Sequence, residues 1–528
     1  MNNLTQDSLI EYGSRRLIIT ITAILCALLE IVDTTIVNVA LNDMRGNLGA
    51  TLSEVGWVIT AYAIGNVIIV PMTSWLSQQF GRRNYYAASV ILFTVCSFLC
   101  GNANGIVELV LFRFLQGVGG GALLVTSQTI ITESYPPEKR SMAQAIYGLG
   151  VIIGPTLGPP LGGYIVTNFS WPYIFYINIP IGVIATLLTL QFVRSPKYAE
   201  KKAMHEIDWL GIVLLAVTVG SLQYVLERGH EDDWFSSTII TGLMVCAIFG
   251  GFFFIWRELT YDNPIVDLRV LKNGNLRIGT VLSFILGFGL YGSTFIIPLY
   301  TQSILGWTAL QSGALMIPAA LTTAVMMPII GKLLQRGVPQ QYLVAAGMFV
   351  FFVYSFWGYK IITPDTGPDA FFWMLIARGM GLGLLFIPIT ALSLSTLKGQ
   401  EIGQGAAFTG MMRQLGGSFG VAVITTFLSR QNMEHRSNLV IRLDVNNAAV
   451  QQKIAMLKQG FIAKGMTPDI ALQSAYKALD YTVSKQASVL SYMDVFLYLG
   501  IMFLICIPFM LMVKGNKRKN TDISEAMH

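Results

Sequence analysis

Charge is scarce in this sequence: Asp, Glu, Lys and Arg make up 12% of its 528 residues, against about 25% in soluble globular proteins. With 53% hydrophobic residues and a mean hydropathy of +0.59, an ordinary soluble domain is excluded and a polytopic membrane protein is indicated. Histidine is scarcer still. His205, His230, His435 and His528 fall outside every long apolar run, which argues against a histidine proton relay or a zinc site in the membrane. The five cysteines, Cys26, Cys96, Cys100, Cys246 and Cys506, lie inside apolar runs. Their odd count and the one-turn spacing of Cys96 and Cys100 suggest no disulfide framework and no metal site. Also lacking are a phosphate loop, a nucleophile elbow, HExxH and CxxC. The glycine-rich Gln116–Gly121 stretch follows no strand and lies in an apolar run, so it is not a nucleotide loop. Neither an ATP-driven pump nor an enzyme is indicated, and no cofactor is expected.

The net charge of +6 does not imply nucleic acid, because the basic residues occupy short blocks between apolar runs. The one cluster, Lys514-Gly515-Asn516-Lys517-Arg518-Lys519, directly follows such a run and reads as a membrane-flanking block. The polar N-terminus up to Arg16 leads into an acid-bearing apolar run, which reads as an uncleaved first span rather than a secretory signal.

A helix needs about 20 mostly apolar residues to cross a bilayer. Fourteen runs qualify: 17–41, 54–76, 84–102, 106–131, 143–166, 173–193, 209–227, 236–256, 276–303, 309–331, 342–360, 371–396, 404–428 and 492–513. With the N-terminus inside, 21 Lys and Arg fall in cytoplasmic segments and 3 in short outside loops. That bias predicts an even span number with both termini in the cytoplasm. Gly56, Pro71 and Leu76 share their spacing with Gly313, Pro328 and Leu333, and Gly117-Val118-Gly119-Gly120-Gly121 resembles Gly379-Met380-Gly381-Leu382-Gly383. The offsets are 257 and 262. The expected architecture is therefore all-α. It has an N-terminal six-helix bundle (1–193), two inserted helices (194–275), a C-terminal six-helix bundle (276–513) and a basic cytoplasmic tail (514–528), the arrangement of parallel repeats around a midplane site. The long outside loop 429–491 contains a helix start at Thr467-Pro468-Asp469. It reads either as a helical outside element or as an ordinary solvated connection.

The charges inside the spans are Glu30, Asp33, Arg113, Arg378 and Arg413. Intramembrane charges are costly, face a bundle interior and usually pair. Glu30 and Asp33 lie three residues apart and share one helix face. Asp33 and Arg113 are matched in depth in the outer half of spans 1 and 4, so they are expected to pair. The pair is either a proton-coupling device, its carboxylate tuned by the guanidinium against burial, or a static helix lock. Glu30, one turn deeper, is a second proton site, the counter-charge for a cationic substrate, or a packed acid. Span 5 carries Gly148, Gly150, Gly154, Pro155, Gly158, Pro159, Pro160, Gly162 and Gly163. Close packing would explain its glycines but not three prolines in six positions.

These residues resemble a family. Leu28 to Leu41, containing Glu30, Asp33 and Asn38, looks like the first-span motif of the fourteen-span drug:proton antiporters of the major facilitator superfamily. Gly81-Arg82-Arg83 resembles their loop between spans 2 and 3, Arg113-Phe114-Leu115-Gln116-Gly117 their span-4 proton-coupling motif, and Gly150 to Pro155 their span-5 antiporter motif. Trp171 with Phe175 to Gly182, Asp262 to Leu268, and Arg413-Gln414-Leu415-Gly416-Gly417-Ser418 look most like the Emr-type multidrug export permeases. Gln78, Gln79, Pro172 and Asn42 depart from the usual pattern. The resemblance implies a proton-coupled exporter of amphipathic drugs in a bacterial inner membrane, surrounded by lipid. It would hand substrate to a periplasmic adaptor and an outer-membrane channel, with loop 429–491 and the Glu231-Asp232-Asp233-Trp234 turn as contacts. Expected proton-coupling residues are Asp33, Glu30 and Arg113. Expected cavity residues are Glu30, Asn38, Tyr62, Gln116, Phe288, Tyr291, Phe295, Arg378, Arg413 and Gln414. Expected conformational residues are Gly81, Arg82, Arg83, Gly150, Gly154, Pro155 and Gly158. The other readings are a dedicated exporter of one metabolite, lipid-like acid or siderophore, and a non-transporting membrane sensor or scaffold.

Overall fold

The computed structural model describes residues 9–196, 207–441, 443–444 and 446–512; the basic tail lies outside them. Among the described residues there are helices and no strands. The helices are α1 (Gly13–Leu48), α2 (Leu52–Gln79), α3 (Arg82–Gly101), α4 (Ile106–Ser134), α5 (Arg140–Asn168), α6 (Tyr173–Tyr176), α7 (Asn178–Phe192), α8 (Trp209–Arg228), α9 (Thr238–Thr260), α10 (Gly274–Ser303), α11 (Ala309–Leu315), α12 (Ile317–Gln335), α13 (Gln340–Ile361), α14 (Pro368–Leu394), α15 (Gln400–Ile441), α16 (Ala448–Ala463) and α17 (Pro468–Met512). Spans 6 and 10 are each built from two helices, α6 with α7 and α11 with α12.

Thirteen spans among the described residues are long and apolar enough to cross a membrane. The expected thirteenth run, 404–428, lies in α15 and falls short on hydropathy because Arg413, Gln414 and several glycines sit in its middle. Those residues do not need lipid, since α15 packs against α10, α17, α2 and α4. Length and hydropathy thus support thirteen of the fourteen expected spans.

Local signals in the sequence set the ends of several helices. A capping box opens α2, with Thr51 N–H donating to Glu54 Oε2 at 2.8 Å and Glu54 N–H to Thr51 Oγ1 at 3.2 Å. The same box opens α11 on Thr308 and Gln311, and the two threonines are 257 residues apart, the spacing of the sequence repeat. At Gly49 the chain leaves α1 in the left-handed region, φ 62°, where glycine carries no Cβ penalty.

Helices α1 to α5 and α7 pack on one another, as do α10, α12 to α15 and α17. The glycines of α4 make the first group possible. A Cβ at Gly117 would collide with the Tyr62 carbonyl oxygen, and one at Gly121 would lie 2.5 Å from that of Asn66. The counterpart Gly379 meets the carbonyl of Ala319, again 257 residues from Tyr62. Backbone-to-backbone contact leaves no room to relax. Gly117→Val is therefore expected to lower the thermal midpoint of purified protein by several degrees, at a cost of about 1–3 kcal/mol for overpacking; an unchanged midpoint would refute the close approach.

The two groups meet along two seams. On one, α5 lies against α11 and α12, from Ala145 beside Gly331 to Pro160 beside Gly313. On the other, α15 lies against α2 and α4, where Gln400 Nε2 donates to Gln78 Oε1 at 2.7 Å and Gly410 meets Val70 and Val125. The inserted helix α8 touches both groups. Arg228 Nη2 donates to Ser53 Oγ at 2.7 Å, and Gln223 Nε2 to Ser418 Oγ at 2.8 Å.

The long segment 429–491 differs from a loop in the usual sense. Helix α15 runs 42 residues and α17 runs 45, about 63 and 68 Å at 1.5 Å per residue, against roughly 30 Å of hydrocarbon. Span 14 and the helix expected from Pro468 are one continuous element: no proline interrupts residues 469–507, and the one glycine there, Gly500, lies packed against Ser355 and Phe352 within the helix. The protruding ends are tied by His435 Nε2 to Asp494 Oδ2 at 2.7 Å and by Arg436 Nη2 to Asp480 Oδ1 at 2.7 Å. The Glu231–Trp234 turn is also engaged within the chain: Glu231 pairs with Arg228, and Trp234 Nε1 donates to Thr426 Oγ1 at 3.0 Å.

Candidate functional site

Helix α1 brings its two acids to different surroundings. Asp33 is fully buried and faces α4 and α7. Its Oδ2 accepts from Arg113 Nη1 at 2.5 Å, and its Oδ1 accepts from Asn178 Nδ2 at 2.8 Å and from Gln116 Nε2 at 3.1 Å. Gln116 and Asn178 both also donate to Ser97 Oγ, at 2.8 and 2.9 Å. Arg113 is 1% exposed. It donates from Nε to the Val58 carbonyl at 3.1 Å and from Nη1 to Gln116 Oε1 at 2.7 Å. Its guanidinium lies 4.2 Å from the centroid of Tyr62, a cation–π contact. Three side-chain donors converge on the buried carboxylate, and Arg113 forms a salt bridge with it.

Glu30 is 4% exposed and has no ion pair among the described residues. Its Oε1 accepts from Asn66 Nδ2 at 2.9 Å, and its Oε2 from the backbone N–H of Leu124 at 3.0 Å. The cation whose field reaches Glu30 is Arg413 on α15, in the other group of helices. Arg413 is buried, its guanidinium lies 5.3 Å from the Phe386 centroid, and its Nη1 has no hydrogen-bond partner. Tyr147 and Tyr291 lie in the same field. The Tyr62 hydroxyl and Asn66 Oδ1 are likewise buried without partners. Glu30 is thus held by α2 and α4 without an ion pair, within electrostatic reach of Arg413 on the other helix group, while Asp33 is paired inside its own group.

The remaining expected residues are scattered. Gln116 belongs to the Asp33 network, and Tyr62 lies beneath Arg113. Phe288 packs against Phe419 at 6.3 Å, and Tyr291 borders Gly417. Phe295 is half-buried in the core and Gln414 is half-buried beside Arg413. Asn38 is exposed, away from the enclosed acids. Arg378 donates to Ser293 and Thr294 hydroxyls on α10. Gly150, Gly154 and Gly158 face Ile24, Ile31 and Thr35 of α1, so this face of α5 is a packing surface, and Pro155 lies within an unbroken helix. Between α2 and α3, Gly81 takes φ 79°, Arg82 pairs with Glu133, and the backbone N–H of Arg83 donates to Ser195 Oγ at 3.1 Å. Sequence reasoning assigned no role to Asn66, Ser97 or Asn178. The two asparagines were detectable as lone carboxamides in apolar runs; Ser97 gave no signal.

The model for the Major Facilitator Superfamily matches residues 23–421. The chain is 34% identical over 485 residues to the multidrug export protein EmrB of Escherichia coli strain K12, covering 92% of each chain. It is 33% identical over 497 residues to the fatty acid resistance protein FarB of Neisseria gonorrhoeae, covering 94% of this chain and 96% of that one. Among solved structures, the proton:xylose symporter XylE superposes with a TM-score of 0.57 at 14% identity, over 94% of this chain and 96% of the other. That last likeness concerns the fold.

Proposed function

Because this chain belongs to the major facilitator superfamily, and is thus a transporter and not an enzyme, we propose that it is a proton-coupled multidrug efflux pump of the bacterial inner membrane with both termini in the cytoplasm. One observation carries this reading. A single helix presents two buried carboxylates, one paired with Arg113 inside the N-terminal group and one without an ion pair, within electrostatic reach of Arg413 in the other group. A group within reach of the other half changes its surroundings when the two halves rock, whereas a group inside one half exchanges partners only if that half loosens. Glu30 is the acid that responds to a substrate held between the halves. Asp33, tuned by Arg113, carries or relays the proton. The division into bundles 1–193 and 276–513, with 194–275 inserted, supplies the rocking bodies. The relatives' names, multidrug export protein EmrB and fatty acid resistance protein FarB, support amphipathic substrates. The protruding ends of α15 and α17 with α16 offer a surface for a periplasmic adaptor leading to an outer-membrane channel.

The test is a growth-inhibition panel in a pump-deficient host. Expression of the chain raises the inhibitory concentration of several unrelated amphipathic drugs, and Glu30→Gln removes that protection for at least part of the panel. Protection unchanged in Glu30→Gln would remove that acid from the mechanism. A second reading, export of one lipid-like acid, is favoured by the FarB relationship and by the buried Arg413 Nη1, which has no hydrogen-bond partner. It predicts protection against fatty acids alone.

A further inference from the structure

The two halves repeat one contact with different charges. Gln116 donates to Asp33 across α4 and α1. The residue 262 positions after Gln116 is Arg378, and the residue 260 positions after Asp33 is Ser293. Arg378 Nε donates to Ser293 Oγ at 2.9 Å, across α14 and α10. The helix-to-helix hydrogen bond is kept, but a guanidinium replaces the amide and a hydroxyl replaces the carboxylate. The counterpart of Arg113 in this register is Leu375, which is fully buried.

The C-terminal half is therefore left with an uncompensated charge. Arg378 is 3% exposed, and no Asp or Glu pairs with it among the described residues. Its Nη2 donates to Thr294 Oγ1 at 2.6 Å, and no hydrogen bond is formed by Nη1. Ser293 and Thr294 both pass their own protons to the Leu290 carbonyl, so they bring neutral oxygens only. Gly381 meets Phe351 and Gly358 meets Met374, so the antiparallel packing of α13 on α14 sets Tyr354 level with Arg378; the Tyr354 hydroxyl is fully buried and has no hydrogen-bond partner. Two kinds of donor are thus brought together with a net positive charge and no anionic acceptor. Buried charges in a membrane are paired or are compensated by something bound.

We propose that Arg378 and Tyr354 hold a monovalent anion within the C-terminal helix group, either chloride or the carboxylate head of an amphipathic substrate. The chloride source stands without the transport reading; the carboxylate source rests on it.

The test uses the full-length protein in detergent with gluconate as background anion. Chloride is titrated to 300 mM in one arm. Laurate is added in a second arm and its methyl ester in a third. The thermal midpoint is expected to rise by about 3 °C with chloride or with laurate and to stay fixed with the ester. A chloride response alone assigns an inorganic anion, and a laurate response alone assigns a substrate head. In Arg378→Gln the half-saturating concentration rises at least 10-fold, and the midpoint in gluconate is no lower than that of the wild type, because an unpaired cation has been removed. Tyr354→Phe, which keeps the packing, raises the half-saturating concentration several-fold. The proposal is overturned if neither anion shifts the wild type, or if both variants respond as the wild type does. Drug efflux measured on the same wild-type preparation reports on the transport reading separately.

Discussion

Asp33→Asn will reduce proton-driven drug efflux to the level of protein-free liposomes while leaving the chain folded. The expectation follows from what the substitution keeps. Asparagine retains the shape and one acceptor oxygen, so Gln116 and Asn178 still have a partner at Oδ1. It removes the charge facing Arg113 Nη1 and any capacity to bind a proton. The Val58 carbonyl and Gln116 Oε1 still accept from Arg113, and the Tyr62 ring still covers it, which limits the structural damage. Efflux and thermal midpoint are read on the same preparation. Coupled efflux at the wild-type rate would remove Asp33 from the proton path and leave the pair as a static helix lock.

The second large effect is on stability. Arg113→Leu leaves the Asp33 carboxylate buried with two amide donors and no cation. Breaking a buried pair from one side costs about 3–5 kcal/mol, so the variant is expected to unfold at a markedly lower temperature or to be degraded on expression. Asp33→Asn combined with Arg113→Leu removes both charges, and replacing a whole buried pair is often nearly neutral. The double variant should therefore recover most of the lost midpoint and none of the transport. Recovery of stability without transport separates the role of the pair in coupling from its role in holding α1 against α4. A double variant no more stable than Arg113→Leu alone would show that the two side chains do not act as a pair.

How much of this was legible in the sequence differs by kind of interaction. The fold was legible because lipid imposes long apolar helices, and because the repeat spacing of 257 recurs in the capping boxes at Thr51 and Thr308 and in the contacts of Gly117 and Gly379. The pairing of Asp33 with Arg113 was legible from depth alone. Rotation about the helix axis was not, since Asn38 shares a motif with Asp33 and yet is exposed, while Gln116 turns onto the buried Asp33. Span 13 was legible as an apolar run, but its shortfall in hydropathy became intelligible only with α10, α17, α2 and α4 packed around it. The unequal standing of Glu30 and Asp33 was hidden for the same reason. Which acid lies within reach of the other group depends on helices more than 380 residues away in the chain, Arg413 being the cation whose field reaches Glu30.

The central claim is that substrate and proton compete through the acids of α1. Its most direct test is proton release on drug addition to purified protein in weakly buffered solution, followed with a pH-sensitive dye. The account predicts release in proportion to drug bound, reduced in Glu30→Gln and abolished when Asp33→Asn is added. Drug binding at wild-type affinity with no proton released, or release that persists in the double variant, would contradict it.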